Sequence, residues 1–216
     1  MDFFSINNIF FSLIGYPISH IEFWGTITGI IAVWYAAKSK VITWPIGLIN
    51  VTLFFVIFYQ IQLYSDMLLQ MYYFCTGIYG WYVWTHDGNR ENLQIRKLTN
   101  KGRLFILVST LIGTFLIGYL VQHIHMILPN LFPKPASYPY IDTFIAIISI
   151  YANLQLAEGI WENWILWVIV NIISVGMYFQ KGVIFISLEY LVFLGIAIYG
   201  LYTWTKKFNA QRIDTV

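Results

Sequence analysis

Seven long runs of this sequence carry almost no charge, and they constrain its fold more than any other feature. They cover roughly residues 21–37, 41–64, 67–85, 104–122, 143–157, 163–180 and 182–205. Most of them approach the ~20 apolar residues that an α-helix needs to cross a bilayer. Because lipid offers no partners for backbone N–H and C=O groups, such runs fold as helices. The sequence therefore predicts an all-α integral membrane protein.

The overall composition agrees with a membrane protein and excludes several other classes. Hydrophobic residues make up 59% of the chain and charged residues 10%, against about 25% charged residues in soluble chains. This apolar content excludes a disordered chain. Cys75 is the single cysteine, which excludes a disulfide-stapled secreted domain. A net charge of +2 gives no reason to expect a nucleic-acid partner.

Residues 1–19 do not fit the pattern of the seven runs. Their Phe and Ile residues are interrupted by Asn7, Asn8 and Pro17. A short, interrupted apolar segment is typical of the membrane surface, so we expect an interfacial helix here, with an extra span as the alternative. No basic residues precede the segment, so a cleaved signal peptide is not expected.

The distribution of basic residues indicates the orientation of the chain. Ten of the twelve fall on one side of the predicted membrane, namely Lys38, Lys40, Arg90, Arg96, Lys97, Lys101, Arg103, Lys206, Lys207 and Arg212, and two, Lys134 and Lys181, fall on the other. By the positive-inside rule, the C-terminus is expected in the cytoplasm. Four aromatic residues then lie near cytoplasmic helix ends, where their rings are expected to anchor at the membrane interface: Tyr82, Trp84, Tyr202 and Trp204.

The chain contains an internal repeat with an offset of 120 residues. Residues 78–85 fall on residues 198–205 with six of eight positions identical, and Trp44 falls on Trp164. Asn50 matches Asn171 if one further residue is inserted. Three helices in each copy, with one helix between the copies, predict a 3+1+3 arrangement of two parallel bundles. The predicted segments are an interfacial segment (1–20), the first repeat (21–85), a cytoplasmic loop, linker helix and external loop (86–140), the second repeat (141–205) and a cytoplasmic tail (206–216).

Polar and aromatic residues at membrane depth form the candidate substrate site. They are Trp44, Asn50, Gln70, Asn153, Trp164, Trp167, Asn171 and Glu189. Polar groups are costly in a bilayer, so they are expected to face a cavity or a partner. The alternative to a substrate-binding role for the amides is hydrogen bonding between neighbouring helices. For Glu189 the alternative is a protonated side chain that is packed among its neighbours. Together these residues suit a planar, polar, cationic solute, because aromatic rings stack on it and amides bind its hydroxyl groups.

The sequence lacks the motifs of several enzyme classes. It contains no Gly-rich nucleotide loop and no His-Glu-x-x-His motif, and residues 182–205 contain no Lys for a retinal Schiff base. His123 and His125 are two residues apart and lie on different faces of a helix. We therefore expect no metal, no cofactor and no enzymatic activity. An intramembrane enzyme and a membrane receptor or scaffold are less favoured alternatives.

Several short motifs resemble the PnuC family. In the first half they are residues 44–50 (Trp-Pro-Ile-Gly-Leu-Ile-Asn), 58–60, 63–67 and 78–81, and in the second half residues 161–164, 170–171 and 187–190. The resemblance covers about residues 20–205, so residues 1–19 are outside it.

This resemblance implies a bacterial inner-membrane transporter for nicotinamide riboside. It also implies a 3+1+3 fold similar to the SWEET sugar transporters, a homotrimer, and facilitated diffusion with a cytoplasmic kinase that traps the substrate. Trp164 and Trp167 would then stack the ring or form a gate, and Glu189 would balance the cation. The asparagines and Gln70 would bind the ribose or the carboxamide. A similar pocket would also serve thiamine or riboflavin, so these vitamins remain alternatives.

Overall fold

A computed structural model describes residues 2–13, 15–60, 64–86, 93–130, 135–136, 138–180 and 184–213. These ranges contain a 3-10 helix of three residues (Asp2–Phe4) and seven α-helices: α1 (His20–Ala37), α2 (Thr43–Gln60), α3 (Tyr64–His86), α4 (Asn100–Ile127), α5 (Pro139–Ala157), α6 (Asn163–Gln180) and α7 (Ile184–Ile213). Each of the seven apolar runs forms one helix, which confirms the predicted helical fold. Arg90, Lys134 and Lys181, used above to assign sides of the membrane, lie outside the described residues.

Two helices extend well beyond the apolar runs that predicted them. α4 has 28 residues and α7 has 30, whereas a hydrocarbon layer of ~30 Å requires about 20. Both helices continue through basic residues such as Lys101 and Lys206, which are compatible with a helix that has left the apolar layer. Hydropathy alone therefore located these helices and underestimated their length.

Five helices of the described chain are long and apolar enough to cross a membrane. They are α2, α4, α5, α6 and residues Ser187–Arg212 of α7. α1 and α3 do not reach the same hydropathy, and both are rich in Trp and Tyr. These amphipathic aromatic residues score as less apolar than aliphatic residues, although they are common in membrane proteins.

The N-terminal segment is a β-hairpin, so the expected surface helix is wrong. Strands β1 (Ile9–Leu13) and β2 (Tyr16–Ser19) pair antiparallel, with Leu13 opposite Tyr16. The two-residue loop between them includes Gly15 at φ +78°, a conformation that glycine adopts without strain. A helix-based interpretation of the Phe and Ile residues missed this turn.

The hairpin is joined directly to the start of α1. Ser19 ends β2 and is the N-cap of α1, where it forms a capping box with Glu22. The Tyr16 hydroxyl donates to Glu22 Oε1 at 3.3 Å. Partial burial and the Glu22 carboxylate raise the pKa of Tyr16 above its ordinary value. Gln60 at the end of α2 holds the far side of the segment, since it donates to the Phe4 carbonyl at 2.7 Å.

The helices before and after α4 pack in the same order. In the first unit (α1–α3), α2 packs against both α1 and α3. In the second unit (α5–α7), α6 packs against both α5 and α7. The two units meet where α1 contacts α7 and where α3 contacts α5, and α4 packs against α5. Each first helix therefore contacts the third helix of the other unit.

Local geometry recurs between the two units at an offset of 120 residues. The bounds of α2 and α6 differ by 120 at both ends, and α3 and α7 begin 120 residues apart. The turn after α1 has Ser39 at φ 53°, and the turn after α5 has Gly159 at φ 68°. The helix caps preceding these residues, Lys38 and Glu158, also share their backbone angles and hydrogen bonds.

This constant offset corrects one detail of the predicted repeat. α2 and α6 have 18 residues each and no net insertion, so Val170 is the counterpart of Asn50. Asn171 lies one residue later, which turns its side chain by about 100° around the helix. The two asparagines are therefore not equivalent positions.

Candidate functional site

Four tryptophans form a buried cluster at the end of the molecule that carries most basic residues. They are Trp44, Trp84, Trp164 and Trp204, and their exposed fractions are 5%, 3%, 0% and 0%. Their rings form a chain, with centroids 5.2 Å apart for Trp44–Trp84, 6.1 Å for Trp84–Trp204 and 5.7 Å for Trp164–Trp204. We call these four residues the tryptophan cluster. The predicted role as interface anchors is wrong for Trp84 and Trp204, because both rings are enclosed by protein, whereas Tyr82 and Tyr202 are 61% and 65% exposed.

Two glycines make room for this cluster. A Cβ added at Gly80 would overlap the Trp44 ring, and one added at Gly200 would overlap the Trp164 ring. The two pairs are related by the same offset of 120 residues. They explain why glycine occurs at matching positions in the repeated eight-residue block.

Hydrogen bonds cross between the two units in the tryptophan cluster. Trp84 Nε1 donates to the Ala157 carbonyl at 3.0 Å, and Trp204 Nε1 donates to the Ala36 carbonyl at 3.1 Å. Thr203 Oγ1 also donates to the Ala37 carbonyl at 2.6 Å. All three acceptors lie in the last turn of α1 or α5, and the Ala36 carbonyl also accepts from the Ser39 N–H at 2.9 Å.

A second group of residues surrounds Glu189, which lies about 22 Å from Trp204 along α7, the rise expected for the 15 residues between them. Asn50, Tyr178, Glu189, Tyr190 and Phe193 form what we call the aromatic–acid cluster. The rings of Tyr178 and Tyr190 stack at 5.4 Å with an interplanar angle of 11°, and Phe193 meets Tyr190 edge-on at 6.4 Å. Polar and aromatic side chains from three helices thus converge near the end that carries the hairpin.

α1 brings small residues against this cluster. Glu189 is hydrogen-bonded to the side chain of Thr26. Asn50 Nδ2 donates to the Gly25 carbonyl at 2.7 Å. A Cβ placed on Gly29 would lie 2.9 Å from that Asn50 nitrogen and 3.8 Å from the Phe193 ring. Asn50 and Glu189 are therefore brought together at the α1–α7 contact, with both side chains bonded to α1.

Trp167 and Asn171 lie on α6 between the two clusters. Trp164 of α6 belongs to the tryptophan cluster and Tyr178 of α6 to the aromatic–acid cluster. At 1.5 Å per residue, Trp167 lies about 5 Å and Asn171 about 10 Å above Trp164 along the helix axis. Trp167 is half-buried, and Asn171 is 4% exposed. One face of α6 therefore connects the clusters through these two side chains.

Asn153 lies at the other contact between the units, and Gln70 lies on α3, one of the two helices of that contact. Asn153 of α5 accepts a hydrogen bond from Thr76 Oγ1 at 2.5 Å, and the neighbouring Tyr72 hydroxyl donates to the Ile150 carbonyl at 2.9 Å. Gln70 is half-buried on α3, two residues before Tyr72. Asn153 thus joins α5 to α3, on the opposite side of the unit interface from Asn50.

Sequence reasoning missed Tyr190, Phe193 and Thr26. Tyr190 is part of a motif that resembles the PnuC family, but it was given no role. Phe193 and Thr26 look like ordinary apolar and small residues of membrane helices. Phe193 is four residues after Glu189 on α7, so helix periodicity places both on one face. Only the packing of α1 against α7 brings Thr26 to Glu189, and a single sequence carries no signal of that contact.

The structure also has an open groove of about 450 Å³ on the outer face of α4. Lys101, Leu104, Phe105, Val108, Ser109 and Ile112 line it. It contains none of the predicted site residues.

Comparisons with known proteins identify similar chains. The family model described as nicotinamide mononucleotide transporter matches residues 19–206. The nicotinamide riboside transporter PnuC of Escherichia coli (strain K12) is 35% identical, with 94% of each chain covered. The riboflavin/roseoflavin transporter RibM of Streptomyces davaonensis is 23% identical, with 83% of this chain and 82% of that protein covered. A crystal structure of the vitamin B3 transporter PnuC matches with a TM-score of 0.66 and 25% identity, covering 87% of this chain and 81% of that one.

Proposed function

The chain belongs to the nicotinamide mononucleotide transporter family, and from this premise we propose that it takes up nicotinamide riboside across the bacterial inner membrane by facilitated diffusion. The observation that carries the proposal is the 35% identity to a nicotinamide riboside transporter over 94% of both chains. The relatives are transporters and not enzymes.

The chemistry between the two units fits this substrate. Nicotinamide riboside is a flat pyridinium cation that carries a ribose. Aromatic faces favour a stacked cation, and amides bind hydroxyl groups and the carboxamide. We assign the ring to the space beside Trp167, and the ribose or the carboxamide to Asn171. Glu189 places a carboxyl group near the end from which the substrate enters.

The membrane arrangement is a 3+1+3 fold with seven spans. The first unit and the second unit are parallel three-helix repeats, and α4 is the linker that restores their orientation. The matching bounds of α2 and α6 and the matching turns after α1 and α5 support this proposal. So does the reciprocal packing of α1 on α7 and of α3 on α5.

The tryptophan cluster faces the cytoplasm and the hairpin faces outward. The ten-to-two division of Lys and Arg supports this orientation. Outer substrate would then reach the aromatic–acid cluster first, and would leave past the tryptophan cluster. The homotrimer implied by the family resemblance stays a prediction, and the mass of the purified protein in detergent tests it.

Calorimetric binding to the purified protein tests the proposed substrate. Nicotinamide riboside should bind, whereas riboflavin and thiamine should bind more weakly or not at all. Riboflavin is the second candidate because the related RibM, at 23% identity, is a riboflavin/roseoflavin transporter. Preferential binding of riboflavin would replace the proposed substrate with this one.

Two substitutions test the proposed position of the substrate. Trp167→Ala removes a stacking surface, and base–aromatic stacking is worth about 1–3 kcal/mol, so the affinity should fall about 5- to 150-fold. Asn171→Leu should weaken binding similarly, because a buried substrate hydroxyl or amide would lose its partner. Trp24→Ala is the matched control, since this ring is 44% exposed on α1. Unchanged affinity in both site variants would place the substrate elsewhere.

Trp164 is a poorer test of the site than Trp167. Its side chain is completely buried against Gly200 and Trp204, so Trp164→Ala would leave a core cavity that destabilises the fold by about 3–5 kcal/mol. A loss of binding in that variant would not separate a lost contact from a damaged fold.

A further inference from the structure

We propose that Trp84 and Trp204 form the cytoplasmic gate of the transporter, and that their indole N–H groups hold it closed. The proposal rests on the proposed function and adds residues to which that function assigns no role. It starts from the two indole–carbonyl hydrogen bonds that cross between the units, Trp84 to Ala157 and Trp204 to Ala36.

The two bonds are reciprocal. Trp84 of the first unit donates to α5 of the second unit, and Trp204 of the second unit donates to α1 of the first. The donors are counterparts at the 120-residue offset, and the acceptors lie in the last turn of counterpart helices. The two rings also meet each other at 6.1 Å. At this end, one tryptophan from each unit therefore donates a hydrogen bond to the other unit.

These contacts are suited to opening and closing. The acceptor carbonyls lie in the last turns of α1 and α5, and the Ala36 carbonyl also accepts from the Ser39 N–H at 2.9 Å. With the units together, each carbonyl accepts from a buried indole N–H, and with the units apart, cytoplasmic water can take the place of the indole. Both states then have paired carbonyls, so parting the units leaves no buried polar group without a partner. The substrate held between the clusters has to pass this contact to reach the cytoplasm.

Among the described residues, residues 93–98 and Arg103 brace the second unit at the cytoplasmic end. In residues 93–98, the Arg96 N–H donates to the Gly159 carbonyl at 3.0 Å, and the Trp161 N–H donates to the Arg96 carbonyl at 2.9 Å. Arg103 Nη2 and Glu162 Oε1 form an ion pair at 2.7 Å beside this segment. The first-unit counterpart of Glu162 is Ile42, which is 47% exposed. When the gate opens, the turn after α1 is thus expected to move away from a braced second unit.

Cysteine labelling tests the gate directly. Ala197 is 1% exposed and belongs to the same buried core as Trp204, so Ala197→Cys in a Cys75→Ser background reports opening. In inside-out vesicles, Trp84→Phe and Trp204→Phe keep an aromatic ring but remove one hydrogen bond each. Each should raise the rate of labelling by a polar thiol reagent about 2- to 13-fold, the factor for one hydrogen bond. The double variant should label fastest.

Trp161→Phe is the matched control. Trp161 Nε1 donates to Thr205 Oγ1 at 2.8 Å, so this substitution also removes an indole hydrogen bond at the same end, but within the second unit. Its labelling rate should equal that of the parent. An equal increase in Trp161→Phe, or unchanged rates in both Trp84→Phe and Trp204→Phe, would overturn the gate.

A second measurement avoids the introduced cysteine. Hydrogen–deuterium exchange of residues 36–44 should accelerate in Trp204→Phe and not in Trp161→Phe, and equal exchange in the two would contradict the proposal. Calorimetry with nicotinamide riboside on the parent protein separates the two proposals. Absent binding rejects the proposed substrate, whereas intact binding with unaltered labelling and exchange rejects only the gate.

Discussion

At the scale of single residues, the contacts between tryptophan and glycine determine how closely the helices of each unit approach. Gly80 and Gly200 lie directly against the rings of Trp44 and Trp164, so there is no room for a methyl group on either backbone. The sequence repeat showed that glycine and tryptophan recur together. The reason lies in contacts between residues that are 36 positions apart, which a local pattern does not contain.

Gly200→Ala should therefore destabilise the protein. Overpacking against the rigid, buried ring of Trp164 should cost about 1–3 kcal/mol, which lowers the unfolding midpoint by about 2–4 °C for each kcal/mol in a chain of this size. Gly195→Ala is the control on the same helix, because no atom lies within 4 Å of the added Cβ. Alanine's higher helix propensity should make it neutral or slightly stabilising. Equal midpoints for the two variants would contradict the packing argument.

At the scale of secondary-structure elements, the helices were predictable and the hairpin was not. Lipid leaves the backbone no alternative to helical hydrogen bonds, so the charge-poor runs located all seven helices. The N-terminal segment has no such constraint, and its structure depends on the turn at Gly15 and on pairing between β1 and β2. Asn7, Asn8 and Pro17 showed that a long helix was disfavoured, but did not indicate what replaces it.

Residues 93–98 form the least regular element, and one buried carboxylate stabilises it. Glu162 is 7% exposed and accepts from the Leu98 N–H at 3.1 Å through Oε2 and from Arg103 at 2.7 Å through Oε1. Glu162→Gln keeps the shape but removes the charge. A hydrogen bond to a charged group contributes about 1.5–3 kcal/mol to the free energy of unfolding. Because Arg103 is 47% exposed, we expect the substitution to lower the stability by an amount near the lower end of this range.

Limited proteolysis measures the loss of stability directly in residues 93–98. Cleavage within residues 93–98 should accelerate in Glu162→Gln and in Arg103→Gln. The double variant should be little worse than either single variant, because both remove the same ion pair. Additive effects in the double variant would mean that the two residues stabilise the segment independently.

At the scale of the whole molecule, the sequence identified polar residues that share a helix face, but not which contact between helices each of these residues belongs to. Trp164, Trp167 and Asn171 share one face of α6, as predicted, yet only the last two lie between the clusters. Asn50 and Asn153 end up on opposite sides of the unit interface, bonded to α1 and α3 respectively. Helix periodicity gives the face of a residue, whereas its neighbours depend on the packing of other helices.

Orientation in the membrane follows from the division of Lys and Arg residues. In a Cys75→Ser background, Ala136→Cys should react with an impermeant maleimide added to intact cells. Ala210→Cys, beyond the basic cluster of α7, should react only after permeabilisation. The two sites serve as controls for each other, because the reverse pattern would invert the proposed topology.

Transport should dissipate a substrate gradient and should not build one. The sequence contains no Gly-rich nucleotide loop, and the acid near the substrate path, Glu189, lies in the aromatic–acid cluster rather than in a row of acids across the membrane. A proton-coupled carrier typically has such a relay. In reconstituted vesicles, internal nicotinamide riboside should therefore rise to the external concentration and stop there, without ATP and without an imposed proton or sodium gradient. Vesicles that contain Gly200→Ala protein of normal size-exclusion profile should reach the same end point more slowly. Accumulation above the external concentration under either ion gradient would replace facilitated diffusion with coupled transport.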